Sequence, residues 1–259
     1  MMKADFDQAA KKYDNHFTNS EIGKLQRNLV YYQLQKYLKN PKNILEINCG
    51  TGEDAIWLAN QNHKVVATDI SSAMITVAKS KTENDNLNFE VADINSISEQ
   101  FKNQKFDLLF SNFGGLNCLS TSELKLFFKN ASTIISEKGK LVLVIMPKNT
   151  IWEQFYFLLK LDFKNAFRRK SDYANANVDG ENVKTYYFNP KDVVLLSKEN
   201  FDVVAIKPIG FFVPPSYLEP FFKNKKVILK ILSFLENRIK NVSFLSKFAD
   251  HYIITLQKR

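Results

Sequence analysis

Cysteine and histidine are scarce in this 259-residue chain. There are two cysteines, Cys49 and Cys118, and three histidines, His16, His63 and His251. The two thiols form no metal-type pair, and a reduced, cytoplasmic setting is the simple expectation. No zinc-ligand or di-carboxylate motif is present, so no metal is expected. No run reaches 18 uncharged apolar residues, which argues against a membrane-spanning helix. Residues 1–20 are polar and charged, which argues against a secretion signal. Tryptophan is rare at two copies, whereas phenylalanine occurs 22 times. Internal repeats and low-complexity tracts are absent as well.

Charge is the next clue. The net charge is +9 and is unevenly spread. Residues 1–147 carry 17 Lys+Arg against 16 Asp+Glu, while residues 148–259 carry 19 against 11. The basic half either meets an anionic partner, such as a membrane surface, an acidic substrate or nucleic acid, or is a solvated lysine-rich surface. Residues 211–248 sharpen that choice, because phenylalanine and aliphatic residues interleave there with lysine and arginine. After the breaks at Pro214, Pro215 and Pro220, the spacing predicts a helix over about 223–241. Such a helix either lies in a membrane interface or packs its apolar face on the sheet.

The pattern elsewhere alternates strand and helix. Strands are expected at 44–47, 64–68, 87–91, 106–110 and 140–145, with helices between them, which gives a parallel sheet with right-handed crossovers. Two helices over 3–18 and 20–39 precede them. Beyond Pro147 the spacing predicts one long aromatic helix over 151–167, a loop over 168–182, and a strand at 184–188 outside the main sheet. A helix over 190–197 and strands at 201–208 and 251–257 complete the chain. The whole reads as one domain, 1–259, with a helical cover at 1–40 and an insertion at 148–187 over the site.

Three successive strands end in an acid: Glu46, Asp69 and Asp93. Between the first two lies Asn48-Cys49-Gly50-Thr51-Gly52, a glycine turn opening a helix. Acids at the carboxyl ends of a parallel sheet suit a nucleotide-like ligand rich in hydroxyls and carrying an amine and a positive charge. Asp69 follows Gly52 by 17 residues, near the spacing of a ribose-binding acid. An ionised carboxylate there accepts two hydroxyl hydrogen bonds.

These residues resemble the class I S-adenosylmethionine-dependent methyltransferases of the Rossmann-like, small-molecule type. The resemblance covers roughly residues 40–148 well and the two ends more loosely. It implies a seven-stranded, mostly parallel sheet of order 3-2-1-4-5-7-6 with the last strand antiparallel, and S-adenosylmethionine as cofactor. Asn48 departs from the family, which usually has a glycine there, yet Asn tolerates φ > 0 better than most residues. The implied cofactor contacts are Glu46, which either orients the turn or meets the amino group through water, Gly50 and Gly52 for close backbone approach, Asp69 for the ribose, and Asp93 with the Ile94 backbone for the adenine. Ile70 and Met74 either sandwich the adenine or, for Met74, fill core. Ser111 and Asn112, ending the fourth strand, face the methionine end. The segment from Phe6 to Asp14 resembles the opening of such enzymes, notably those of biotin and quinone pathways, with Tyr13 as a cover residue or a plain helix-surface tyrosine.

The acceptor is less legible. A general base is needed only if the acceptor loses a proton. His16, Tyr186 and His251 are the catalytic candidates, with Tyr187 beside them; His63 reads as surface. The aromatic residues of 148–187 point to a small-molecule or lipophilic acceptor, or are that segment's own core. The chain lacks the Asn-Pro-Pro-aromatic motif after the fourth strand, so no nucleic-acid partner is expected. Two other functions fit less well. A nicotinamide oxidoreductase matches Gly50-x-Gly52-x-x-Ala55 but leaves Asp93 unexplained and sets Glu46 against the pyrophosphate. A catalytically inert binding protein keeping this fold is the other.

Overall fold

A computed structural model describes residue 7, residues 10–178 and residues 181–259, apart from the side chains of 11, 12, 15, 16, 177, 178 and 181. The main sheet comprises β1 (Asn43–Ile47), β2 (Lys64–Asp69), β3 (Leu87–Val91), β4 (Phe106–Ser111), β5 (Ile135–Ile145), β8 (Phe201–Ile209) and β9 (His251–Lys258). Its order is β3-β2-β1-β4-β5-β9-β8. The first five strands pair in parallel, and β9 runs antiparallel to both β5 and β8. This is the order and the polarity expected from the family resemblance.

Side chains leave a strand alternately on its two faces, and both faces here are apolar. On β1, Ile44 joins one core layer, while Leu45 and Ile47 join the other. On β4, Leu108 and Phe110 take the first layer and Leu109 the second. Helices α2 (Glu21–Leu34) and α3 (Glu53–Ala59) cover the first layer. Helix α6 (Thr121–Ile134) covers the second with Leu124, Phe127, Phe128, Ala131 and Ile134. Each fully buried Leu, Ile or Phe contributes about 1.5–3 kcal/mol relative to an exposed one. The chain enters these helices through side-chain caps. Ser20 caps α2, Ser71 caps α4 (Ser72–Lys79), and Ser120 with Glu123 forms a capping box on α6.

Two short helical pieces, α1 (Ala10–Tyr13) and a π-helical turn (Asp14–Thr18), precede α2. Helix α5 (Ile97–Gln100) follows β3. Beyond β5 the structure departs from the sequence reading. The expected single helix over 151–167 is two, α7 (Ile151–Leu159) and α8 (Phe163–Ala166). Leu161 takes φ 55°, and Asp162 turns its carboxylate to the Asn165 amide, so the chain stops and restarts. The expected loop over 168–182 instead holds β6 (Ala174–Val178), paired antiparallel with β7 (Glu181–Thr185) in a hairpin outside the main sheet. Helix α9 (Pro190–Ser197) then leads into β8. Between β8 and β9 lie α10 (Glu219–Phe222) and α11 (Lys226–Ile239).

Helix α11 turns only part of its apolar surface inward. Its buried residues are Leu229 and Glu236, whereas Val227, Ile231 and Phe234 are more than half exposed. The larger apolar face is therefore turned away from the sheet. His63, read as surface, is 1% exposed, and burial with Lys42 nearby lowers its pKa.

Candidate active site

The acids gather at the carboxyl edge of the sheet. After β1 the chain turns sharply through Asn48 (φ 55°), Gly50 (φ 53°) and Gly52 (φ 80°) before entering α3. Asn48 thus adopts the left-handed conformation in place of a glycine. The Cys49 amide donates to the Thr68 carbonyl at 2.9 Å, and the Gly50 amide to Asp69 Oδ2 at 2.9 Å. Asp69 Oδ1 accepts from the Ser71 amide at 2.9 Å. Asp69 therefore ties the glycine turn to the start of α4, and each oxygen keeps a second lone pair for a ligand hydroxyl. Burial pushes its pKa up, against the pull of these two amides.

Gly50 and Gly52 have different reasons to be glycine. A Cβ at Gly52 would stand 2.6 Å from the Phe89 ring and 2.9 Å from Ala78 Cβ, so packing forbids it. A Cβ at Gly50 would meet only Tyr13 Cε1, at 3.9 Å. Gly50 thus presents open backbone beneath the Tyr13 ring. Burial pushes the Tyr13 hydroxyl up to about 12.

Glu46 is 1% exposed, and its Oε2 has no hydrogen-bond partner among the described residues. Burial first, and Asp54 nearby, hold its pKa well above the ordinary value, with Arg27 opposing. A buried carboxylate with an idle oxygen is costly unless a donor or cation meets it. The amino group of S-adenosylmethionine is such a cation, so the residues present fit that cofactor.

Asp93 caps the turn after β3, accepting from the Asn95 amide at 2.9 Å. Asp93 and Ile94 are half-buried, and Ile70 at the rim is 51% exposed. Met74 is 2% exposed and packs with Ala10 and Tyr13. Ser111 is buried and lies 3.4 Å from Asn48 Nδ2. Asn112 donates to Asp54 Oδ2 at 2.9 Å.

Sequence reasoning missed Asp54. It lies in the first turn of α3 and there reads as ordinary helix-start chemistry. In the structure it is 6% exposed and accepts from Arg27 Nε at 3.0 Å, the Tyr31 hydroxyl at 2.7 Å and Asn112. The Arg27 guanidinium lies 5.6 Å from the Phe17 ring centre and 5.5 Å from that of Phe113. This knot joins α2, α3 and the end of β4.

Among the catalytic candidates, His251 opens β9 at this edge. Its ring meets Phe113 at 5.5 Å, and its Nδ1 lies 3.2 Å from Asp250 Oδ2. Asp250 Oδ1 meets Arg169 Nη2 at 3.0 Å, and Arg169 Nε meets Glu153 Oε2 at 2.6 Å. Burial works against the Asp250 carboxylate, but His251, Arg169 and Gln26 hold its pKa well below the usual range. Glu153, Arg169 and Asp250 carried no sequence signal, since the sequence does not show which loops meet. Tyr186 is half-buried, and its ring faces Tyr173 at 6.1 Å. Tyr187 is buried against the Arg169 guanidinium. The His16 side chain lies outside the described residues.

Comparison with known proteins agrees with this geometry. Residues 44–139 match the family described as Methyltransferase domain. An uncharacterised protein of Methanocaldococcus jannaschii is 29% identical over 253 residues, covering 93% of this chain and 92% of that one. Malonyl-[acyl-carrier protein] O-methyltransferase 1 of Ilyobacter polytropus is 34% identical over 122 residues, 42% of this chain and 39% of that protein. This chain therefore spans well under half of that enzyme's length. The solved structure of a SAM-dependent methyltransferase from Methanosarcina mazei shares the fold, with a TM-score of 0.59 at 20% identity, covering 88% of this chain and 97% of that one. Fold and domain match together define a methyltransferase. Residues 44–139 thus carry a methyltransferase domain, the surrounding fold is Rossmann-like, and S-adenosylmethionine is the cofactor that domain takes. A nicotinamide oxidoreductase is thereby set aside.

Proposed function

We propose that this enzyme methylates a small lipophilic acceptor. The observation that carries the reading is the meeting of Glu46, open Gly50 backbone and Asp69 at one edge of the sheet, under Tyr13. When bound, the cofactor supplies an already activated sulfonium methyl. Glu46 takes its amine, Asp69 its ribose hydroxyls, and Asp93 with the Ile94 backbone its adenine. Ile70 shields the adenine at the rim, and Ser111 and Asn112 bound the methionine end. Tyr13 and the 148–187 segment exclude water, and holding the acceptor in line supplies much of the rate.

Where the acceptor must lose a proton, His251 is the base. The support is its position beside Phe113 with Nδ1 facing Asp250. A lipophilic acceptor is supported by the apolar side chains of α7 and α8, among them Phe155, Leu159 and Phe163. The named Ilyobacter relative is, by its name, an O-methyltransferase of a malonyl group on an acyl carrier, which supports a small acceptor group but not its lipophilicity. A cytoplasmic setting belongs to this reading, in keeping with a chain of only two cysteines.

Two measurements test the proposal. Calorimetry should show binding of S-adenosylmethionine and S-adenosylhomocysteine but not of NAD. Incubation with methyl-labelled cofactor and a lipid extract should move label into the organic phase. His251→Gln should slow that transfer roughly 100-fold with cofactor affinity unchanged. Cofactor binding without label transfer to any fraction would leave an inert binding protein.

A further inference from the structure

The outer face of α11 is built for a surface, and we infer that it docks this protein on an anionic lipid bilayer. Val227, Ile231 and Phe234 recur at helical spacing on the side opposite the buried Leu229 and Glu236. They are 72%, 54% and 57% exposed. A water-facing helix normally carries polar residues at those positions. An apolar ridge on which none of the described residues lies marks an interaction face.

Charge identifies the occupant. Residues 211–248 hold seven Lys+Arg and two acids, Glu219 and Glu236. Both acids are engaged within the chain. Glu219 accepts from the Glu21 and Ile22 amides at 3.1 and 3.0 Å. Glu236 accepts from the four successive amides of residues 210–213. The outward cations of this segment are therefore unbalanced by acids of their own.

Those cations sit on the exposed rings. Lys225 lies over Phe221, Arg238 over Phe234 at 4.8 Å, and Lys247 over Phe244 at 4.3 Å. An aromatic ring sunk at the headgroup boundary, with a cation beside it at phosphate depth, satisfies both groups at once. An acidic protein would satisfy the cations but leave the aliphatic ridge to find a matching groove. A second copy of this chain would set like charges against each other. A bilayer with anionic headgroups meets both requirements without further assumption. The inference does not depend on what the enzyme methylates.

The experiment is co-sedimentation of the full chain with vesicles of phosphatidylglycerol and phosphatidylcholine, against phosphatidylcholine alone. Partitioning onto the anionic vesicles should be at least about tenfold stronger and should weaken with added salt. The double variant Ile231→Glu with Phe234→Glu should lose about tenfold or more while keeping the wild-type melting temperature. Lys226→Glu with Lys230→Glu should lose the preference for anionic lipid. Equal partitioning on both vesicles, or none on either, overturns the inference. So does sedimentation velocity showing a dimer that the Ile231→Glu, Phe234→Glu variant dissolves, since the face would then belong to a second copy.

Discussion

Glu46 is the residue at which protonation and ligand binding are tied together. Its pKa is raised, chiefly by burial, which favours the protonated form relative to an exposed glutamate. Its contribution to stability is present at low pH and is lost as pH rises through that raised value. A cationic amine beside Glu46 reverses the preference. S-adenosylmethionine should therefore release a proton on binding, and its affinity should climb with pH through the raised pKa, by at most about tenfold per unit for one proton. Calorimetry in buffers of differing ionisation enthalpy reads the proton directly. Pairing Glu46 with the amine predicts that Glu46→Gln abolishes the release. Asp69 offers a plainer measurement. Two charge-assisted hydrogen bonds to buried hydroxyls are lost in Asp69→Ala, so S-adenosylmethionine should bind about 2–4 kcal/mol more weakly. Wild-type affinity in that variant would remove the ribose assignment.

Helix α11 is anchored by Leu229 in the core and by the carboxylate of Glu236. Glu236 is fully buried and accepts from the amides of Gly210, Phe211, Phe212 and Val213 at 2.6 to 3.1 Å. These amides follow β8 and have left the sheet ladder, so the carboxylate replaces strand partners. Glu236→Ala would leave two buried and two half-buried amide donors without their acceptor and should cost about 3 kcal/mol or more by urea denaturation. Glu236→Gln keeps an acceptor and should cost less. That anchor was not legible in the sequence, where Glu236 reads as one more charge on an amphipathic helix. The strands were legible, because buried parallel strands announce themselves as short apolar runs ending at acids. Glu46, Asp69 and the glycine turn were legible for the same reason, since local spacing sets them. Asp54, Arg27, Asp250, Arg169 and Glu153 were not, because their partners lie on other elements, far along the chain. The break at Leu161 was hidden too, for nothing in an aromatic helical run marks a leucine for positive φ.

Two segments far apart in the chain, one near the amino terminus and one after β5, meet the same edge of the sheet. The first is the amino-terminal strap. Asp14 accepts from Thr51 at 2.6 Å and meets Lys81 at 2.5 Å, Asp7 accepts from Ser71, and Tyr13 covers Gly50. The second is the segment after β5, whose Glu153 and Arg169 lead to Asp250 and His251. Their anchorage differs in kind. Among the described residues the strap is held by hydrogen bonds to Thr51 and Ser71 and by one partly exposed ion pair, Asp14–Lys81, and ion pairs near the surface contribute about 0–1 kcal/mol each. The Glu153–Arg169–Asp250 chain is buried, and removing one member would strand a charge at a cost of about 3–5 kcal/mol. The expected outcome is that the strap opens at smaller cost to admit the cofactor, while the buried chain keeps the start of β9 in place. Hydrogen exchange should therefore separate them. On binding S-adenosylhomocysteine, amides of residues 10–20 should slow by about tenfold or more. Within 148–187, amides around Glu153 and Arg169 should already be slow and change less, and the strands should hardly change. Equal slowing across strap, insertion and strands would mean that the ligand stabilises the molecule globally. Unchanged exchange at residues 10–20 would mean that the strap does not close over the cofactor, and Tyr13 would lose its role as a cover.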